Sequence, residues 1–191
     1  RSFVAPALLA LTCVVLYLYD LRGVPSSVHG DEAEVGLGAI EVMGRRPFNL
    51  FASAWAHIPT LYYYIPGFFM KLSSDALTGL RLSTASCALG SLLFTGLTVS
   101  LLWGGRAAVL AVTLLAVNHF HFHIGRMGAS YIQATFFTTA AFYFLIRGLM
   151  TANRKCLALV GIITPLGFMS YYSARLLPLQ ILHQLVQQHN P

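Results

Sequence analysis

The stretch LRLSTASCALGSLLFTGLTVSLLW, residues 80–103, decides the fold. Its one charge is Arg81, near the start, and it runs apolar or small until Gly104-Gly105 stops it. As a helix, its 24 residues reach about 36 Å, enough to cross a hydrocarbon core of roughly 30 Å. It lacks the period-2 alternation of a membrane strand. A single buried helix of this length does not suit a small soluble domain, so the rest of the chain is read with a bilayer in mind.

Composition agrees. Hydrophobic residues make up 57% of the 191 and charged residues only 9%, against about 25% charged in soluble domains. A soluble fold of this size would be one domain, or at most two, with too little polar surface to cover such a core. Further apolar stretches at 3–21, 107–120, 132–149 and 156–171 bring the expected spans to about five. The first is longer than a signal-peptide core and has no small-x-small cleavage site after it, so it is read as a retained anchor. Residues 22–78 form a long, more polar first loop. Within it, 61–70 is aromatic but short and broken by Pro59 and Pro66, which predicts a membrane-surface or re-entrant helix rather than a span. The fold class is therefore an all-α membrane protein whose long first extracytoplasmic loop carries short membrane-surface helices.

Charge gives the orientation. Alternate ends of the spans gather Arg1, Arg106, Arg147, Arg154 and Lys155, and short loops rich in Arg and Lys stay cytoplasmic. The first loop, the 119–126 turn and the 170–175 turn then share the outer face. The net charge of +6 does not indicate nucleic acid, since there is no basic run beyond Arg45-Arg46 and Arg154-Lys155 and no aromatic-basic module. Cys13, Cys87 and Cys156 are too scattered for a disulfide framework or a zinc site and read as small buried hydrophobes. After Pro178 the sequence LQILHQLVQQHNP is too polar and short for a sixth span. The chain therefore divides into a transmembrane part, 1–178, and a polar tail or truncation point, 179–191.

All six acidic residues lie between Asp20 and Asp75, four of them in 31–41. One reading makes Asp31 a helix cap with Glu34 three residues on, and Ala33, Leu37, Ile40 and Met43 an apolar stripe on the membrane. The other makes Asp31 a general base at the outer face with Glu32 beside it, since a carboxylate against low-dielectric surroundings is the stronger base. The two are compatible. Arg126 and Arg175 fall at outer ends of spans, where arginines snorkel but also clamp phosphate. Arg81 and Lys71 are further cations that nothing in the spacing singles out. His119, His121 and His123 alternate, so only His119 and His123 share a helical face. Without a third ligand at metal spacing they read as interfacial packing. Gly128-Ala129-Ser130 resembles an intramembrane serine-protease element, but neither His119 nor His123 follows it in the expected arrangement, and small residues near a helix end serve close packing.

The ordered set HGDEAEVGLGAIEVMGRRPF (29–48), HIPTLYYYIPGFFMKL (57–72), LTGLRLSTASCALGSL (77–92), HIGRMGASYIQATFF (123–137) and GFMSYYSARLLPL (167–179) resembles the GT-C superfamily. Within it, the chain is most similar to protein O-mannosyltransferase and aminoarabinose-transferase-like enzymes. The resemblance implies an inverting glycosyltransferase in a bacterial or archaeal plasma membrane, active at the extracytoplasmic face. Its donor would be a polyprenyl-phosphate sugar and its acceptor a hydroxyl on protein, glycan or lipid. It makes Asp31 the catalytic base and Glu32 its assistant, and it makes Arg126 and Arg175 contacts to the donor phosphate or its surroundings. Some members involve a divalent metal at this face, which Asp31, Glu32 and His57 leave open. Members usually have more spans and often a soluble C-terminal domain, so this chain corresponds to the N-terminal part and is not expected to act alone. The competing expectation is a non-enzymatic polytopic protein, a transporter subunit or assembly factor. Against the transporter stands the lack of an acidic residue in any expected span after the first.

Overall fold

The computed structural model of the chain describes residues 4–44 and 59–189. Its longest element contains the apolar stretch 80–103. Asp75, in extended conformation, accepts from the Thr78 N–H at 3.0 Å and the Thr78 hydroxyl at 2.8 Å, and so starts a 28-residue helix, Ala76–Trp103. Gly104 ends it at φ +86°, a backbone that side-chain-bearing residues rarely adopt. In chain order the helices are α1 (Val4–Leu18), α2 (Gly30–Gly44), α3 (Leu61–Leu72), α4 (Ala76–Trp103), α5 (Gly105–Ala116), α6 (His119–Arg126), α7 (Ile132–Thr151), α8 (Arg154–Phe168) and α9 (Leu177–His189). A 3₁₀ turn, Tyr172–Leu176, precedes α9.

Among the described residues, α4 and α7 are long and apolar enough to cross a membrane. A third span exists if α5 and α6, bent by 64° at their break, count as one. Of the five expected spans, then, two are full-length helices and one is broken, while α1 and α8 have 15 residues each. The break has a local cause. Asn118 takes an extended backbone, and its side-chain oxygen accepts from the His121 N–H at 3.1 Å, so a new helix starts where a single span was expected.

In lipid the hydrophobic effect does not drive helices together, so small residues and hydrogen bonds must. α4 is the centre, touching α1, α2, α3, α5, α6 and α7. Tyr17, Cys13, Ala85, Ala88, Leu92 and Ile124 form one buried cluster between α1, α4 and α6. At its edge His121 is buried, with Nδ1 2.7 Å from the Tyr17 hydroxyl and Nε2 2.8 Å from the Ser91 hydroxyl. Ser91 donates to the Ala88 carbonyl, so its oxygen accepts from Nε2–H, and Nδ1 accepts from Tyr17. The central histidine thus ties three helices together, while the exposed His119 and His123 stack on each other at 5.8 Å.

Between α1 and α4 the described residues form two helices, α2 and α3. α2 buries Val35, Ala39 and Val42 against Tyr62 and Tyr63 of α3. The opposite side leaves Ala33, Leu37 and Ile40 exposed, so three residues of the expected stripe face away from the protein. At the far end, the segment read as a tail is helical as far as His189. Leu177 and Ile181 of α9 pack with Ala141, Leu145 and Val160.

Candidate active site

The site is built around a buried ion pair. Glu32 lies in the first turn of α2 and Arg81 in the second turn of α4, and both side chains have no exposed surface. Arg81 Nε donates to Glu32 Oε1 at 2.6 Å and Nη2 to Oε2 at 3.0 Å, a two-pronged pairing that suits the planar guanidinium. Its Nη1 donates to the carbonyls of Leu21, Arg22 and Pro25, and its Nη2 to that of Ser27. One side chain therefore pins the chain leaving α1 to both α2 and α4. The Gly128 N–H, beyond α6, donates to Glu32 Oε1 at 3.0 Å. Burial pushes the Glu32 carboxyl up, but the bonds from Arg81, Gly128 and the His29 backbone outweigh that and hold it below the ordinary value.

The cap of α2 differs from the expected one. His29, not Asp31, precedes the helix, and its Nδ1 accepts from the Asp31 N–H at 3.3 Å. Glu32, not Glu34, reaches back to the His29 N–H. The start moves two residues earlier because a third-position carboxylate can satisfy a cap N–H and Arg81 at once. Asp31 is thereby released from capping. Successive helical residues turn by about 100°, so Asp31 points away from the ion pair. Its side chain is 46% exposed, and Oδ2 accepts from the Tyr131 hydroxyl at 2.9 Å. The Tyr131 ring lies 4.8 Å from that of Tyr171, which stacks on Tyr62 at 5.9 Å. The first loop, the 127–131 turn and the chain after α8 thus meet at one end of the bundle.

The two expected phosphate contacts part company. Arg126 is buried, and its guanidinium donates to the carbonyls of Leu16 in the last turn of α1 and of Tyr19 and Val24 beyond it. The Leu16 carbonyl is one that a helix end leaves without a partner, which favours an arginine there. Arg175 is exposed and lies over the Tyr172 ring at 4.4 Å. His57 lies outside the described residues. Among the described residues no three His, Cys, Asp or Glu side chains gather to hold a metal, and both Glu32 oxygens are engaged by Arg81. The described residues do not fit a metal site.

The dolichyl-phosphate-mannose-protein mannosyltransferases match residues 57–190, the greater part of the sequence. The chain belongs to that family. Nothing matches it among curated proteins or among solved structures. Membership, with the apolar helices α4 and α7, makes it an integral membrane glycosyltransferase of the GT-C type. The match to the mannosyltransferases begins after α2, so Asp31 and Glu32 stand outside it. They are bound to it by three residues that lie inside it: Arg81, Gly128 and Tyr131.

Those three were not singled out by sequence reasoning. Arg81 did leave a signal: a charge inside a long apolar helix must be paired, and every acidic residue of the chain lies in 20–75. Gly128 showed only as part of a small-residue turn read as close packing, and Tyr131 left no signal. At Gly128 a Cβ would stand 2.6 Å from Leu80 Cγ and 2.9 Å from Glu32 Oε1. Gly128→Ala in this mannosyltransferase-family chain is expected to cost about 1–3 kcal/mol through overpacking. Thermal unfolding in detergent checks it, and unchanged melting would show that the turn has room to give.

Proposed function

We propose that the chain transfers a sugar, mannose by the family's description, from a polyprenyl-phosphate donor to a hydroxyl acceptor at the extracytoplasmic membrane face. Asp31 takes the proton of the acceptor hydroxyl. The freed oxygen attacks the anomeric carbon opposite the phosphate, the carbon–phosphate oxygen bond breaks, and polyprenyl phosphate leaves with the electron pair. The configuration inverts. Glu32 assists from beneath, holding the first turn of α2 against α4, and Arg175 offers its charge to the departing phosphate. Arg126 belongs to the surroundings, securing the end of α1 beside the site.

One observation carries this reading: a half-exposed carboxylate, Asp31, stands on a helix start anchored by a fully buried ion pair, in a chain of a glycosyltransferase family. A carboxylate in fixed position next to an acceptor is what general-base catalysis needs, and cations near a leaving phosphate stabilise charge as it develops. The extracytoplasmic side is supported by the Arg and Lys bias of the opposite ends.

Membranes carrying the full-length protein, supplied with polyprenyl-phosphate mannose, test it. Free polyprenyl phosphate should appear in step with glycosylated acceptor. Arg175→Gln should lower kcat/KM for the donor roughly 10- to 100-fold, the size of one lost hydrogen bond to a charged group. Full activity in Arg175→Gln would remove that residue from the site, and release of a diphosphate would overturn the donor class.

A further inference from the structure

Tyr131 immediately precedes α7, and its hydroxyl reaches across to Asp31 Oδ2 at 2.9 Å, a bond spanning one hundred residues of chain. Its ring is braced from behind. Tyr171 packs on it at 4.8 Å, and Tyr171 stacks on the buried Tyr62. The Tyr62 carbonyl accepts from Gln133 Nε2 at 3.1 Å, which ties the brace back to α7. A tyrosine so held cannot follow Asp31 if the carboxylate turns, so the carboxylate must follow the tyrosine. Burial, and after it the bond to Asp31, push the Tyr131 hydroxyl well above its ordinary value. It therefore stays protonated and acts as a donor. Tyr131 also lines a cavity of about 780 Å³, together with Tyr171, Ser173, Thr135 and Phe120. Tyr131 is thus shared between the bond to Asp31 and the wall of this cavity.

We propose that Tyr131 is a positioning residue of the transfer reaction: by donating to one oxygen of Asp31, its hydroxyl fixes the direction in which the other oxygen meets the acceptor. The inference rests on Asp31 being the base. It adds a residue that neither the family match nor the acidic cluster in the sequence marks. Loss of the bond leaves Asp31 free to rotate, and proton transfer is steeply sensitive to such misplacement. The contribution should fall on turnover, not on donor binding, because the hydroxyl is already engaged by Asp31.

Two variants separate positioning from packing. Tyr131→Phe keeps the ring against Tyr171 and deletes only the hydroxyl, whereas Tyr131→Leu deletes both. In membranes carrying the full-length protein, with polyprenyl-phosphate mannose as the probe, Tyr131→Phe should lose roughly 10- to 100-fold in kcat. KM for the donor should stay within about twofold. Tyr131→Leu should lose at least as much. A Phe variant with wild-type kcat beside an impaired Leu variant would make Tyr131 a packing residue and overturn the proposal. A rise in KM at unchanged kcat would overturn it too. Wild-type membranes that transfer no sugar would instead bring down the reading on which it rests, which keeps the two failures apart.

Discussion

Arg81→Met should cost the fold about 3–5 kcal/mol, the range for removing one partner of a buried ion pair. Both Arg81 and Glu32 are wholly buried, so the variant leaves an uncompensated carboxylate with the Gly128 and His29 N–H groups as its remaining partners. The carbonyls of Leu21, Arg22, Pro25 and Ser27 lose their donor as well. Lysine should not rescue, because a single ammonium cannot serve two carboxylate oxygens and four carbonyls in the directions of a planar fork. The double variant Arg81→Met/Glu32→Gln should recover part of the loss, since no charge is then stranded. Unfolding in detergent, with protease cleavage in residues 21–27 as a local readout, measures all three. Wild-type stability of Arg81→Met would show that the pair does not hold this end together. The pH dependence has a definite sign. The folded Glu32 carboxyl lies below its ordinary value, so the stability the pair adds is present in full above about 4.5 and is lost as pH falls through the lower folded value.

The same pair shows where sequence reading stops. The all-helical membrane fold was legible because 80–103 and 132–149 are long apolar runs, and α4 and α7 occupy them. The third span was harder. Its apolar pattern ran on through residue 120, but Asn118 is a good cap, and capping won over continuation. The acidic cluster at 31–41 was visible in the sequence, but not which of the neighbours Asp31 and Glu32 would be buried. Their difference is one of helical phase: Glu32 faces α4 and is buried, Asp31 faces out. Phase becomes readable only once the partner of α2 is known. Arg126 shows the complementary gap: its place at the end of a helix was legible, but not the carbonyls of Leu16, Tyr19 and Val24 that it meets there. Tyr131 needed the fold outright, since nothing local marks a tyrosine at a helix start as the partner of a carboxylate in another loop.

Asp31→Asn should have the largest effect on activity, a loss of roughly 10²- to 10⁴-fold in kcat, the usual worth of a general base. The substitution is nearly isosteric. The amide oxygen still accepts from Tyr131, and the side chain is 46% exposed, so folding and membrane insertion should be unchanged. Only the capacity to take a proton is removed. Asp31→Glu keeps that capacity but carries it one methylene outward, and should fall between the two. Donor KM should change little in either, because the missing interaction is made while the acceptor proton moves.

The most direct measurement supplies polyprenyl-monophosphate sugars to membranes carrying full-length wild-type or Asp31→Asn protein, matched for amount and melting behaviour, and follows donor loss by mass spectrometry. Consumption of one donor by the wild type, with release of polyprenyl phosphate and near-complete loss in the variant, is the expected result. Equal consumption by the two proteins, or none by a well-folded wild type across the panel, would contradict the assignment of Asp31 as the base of a sugar transfer.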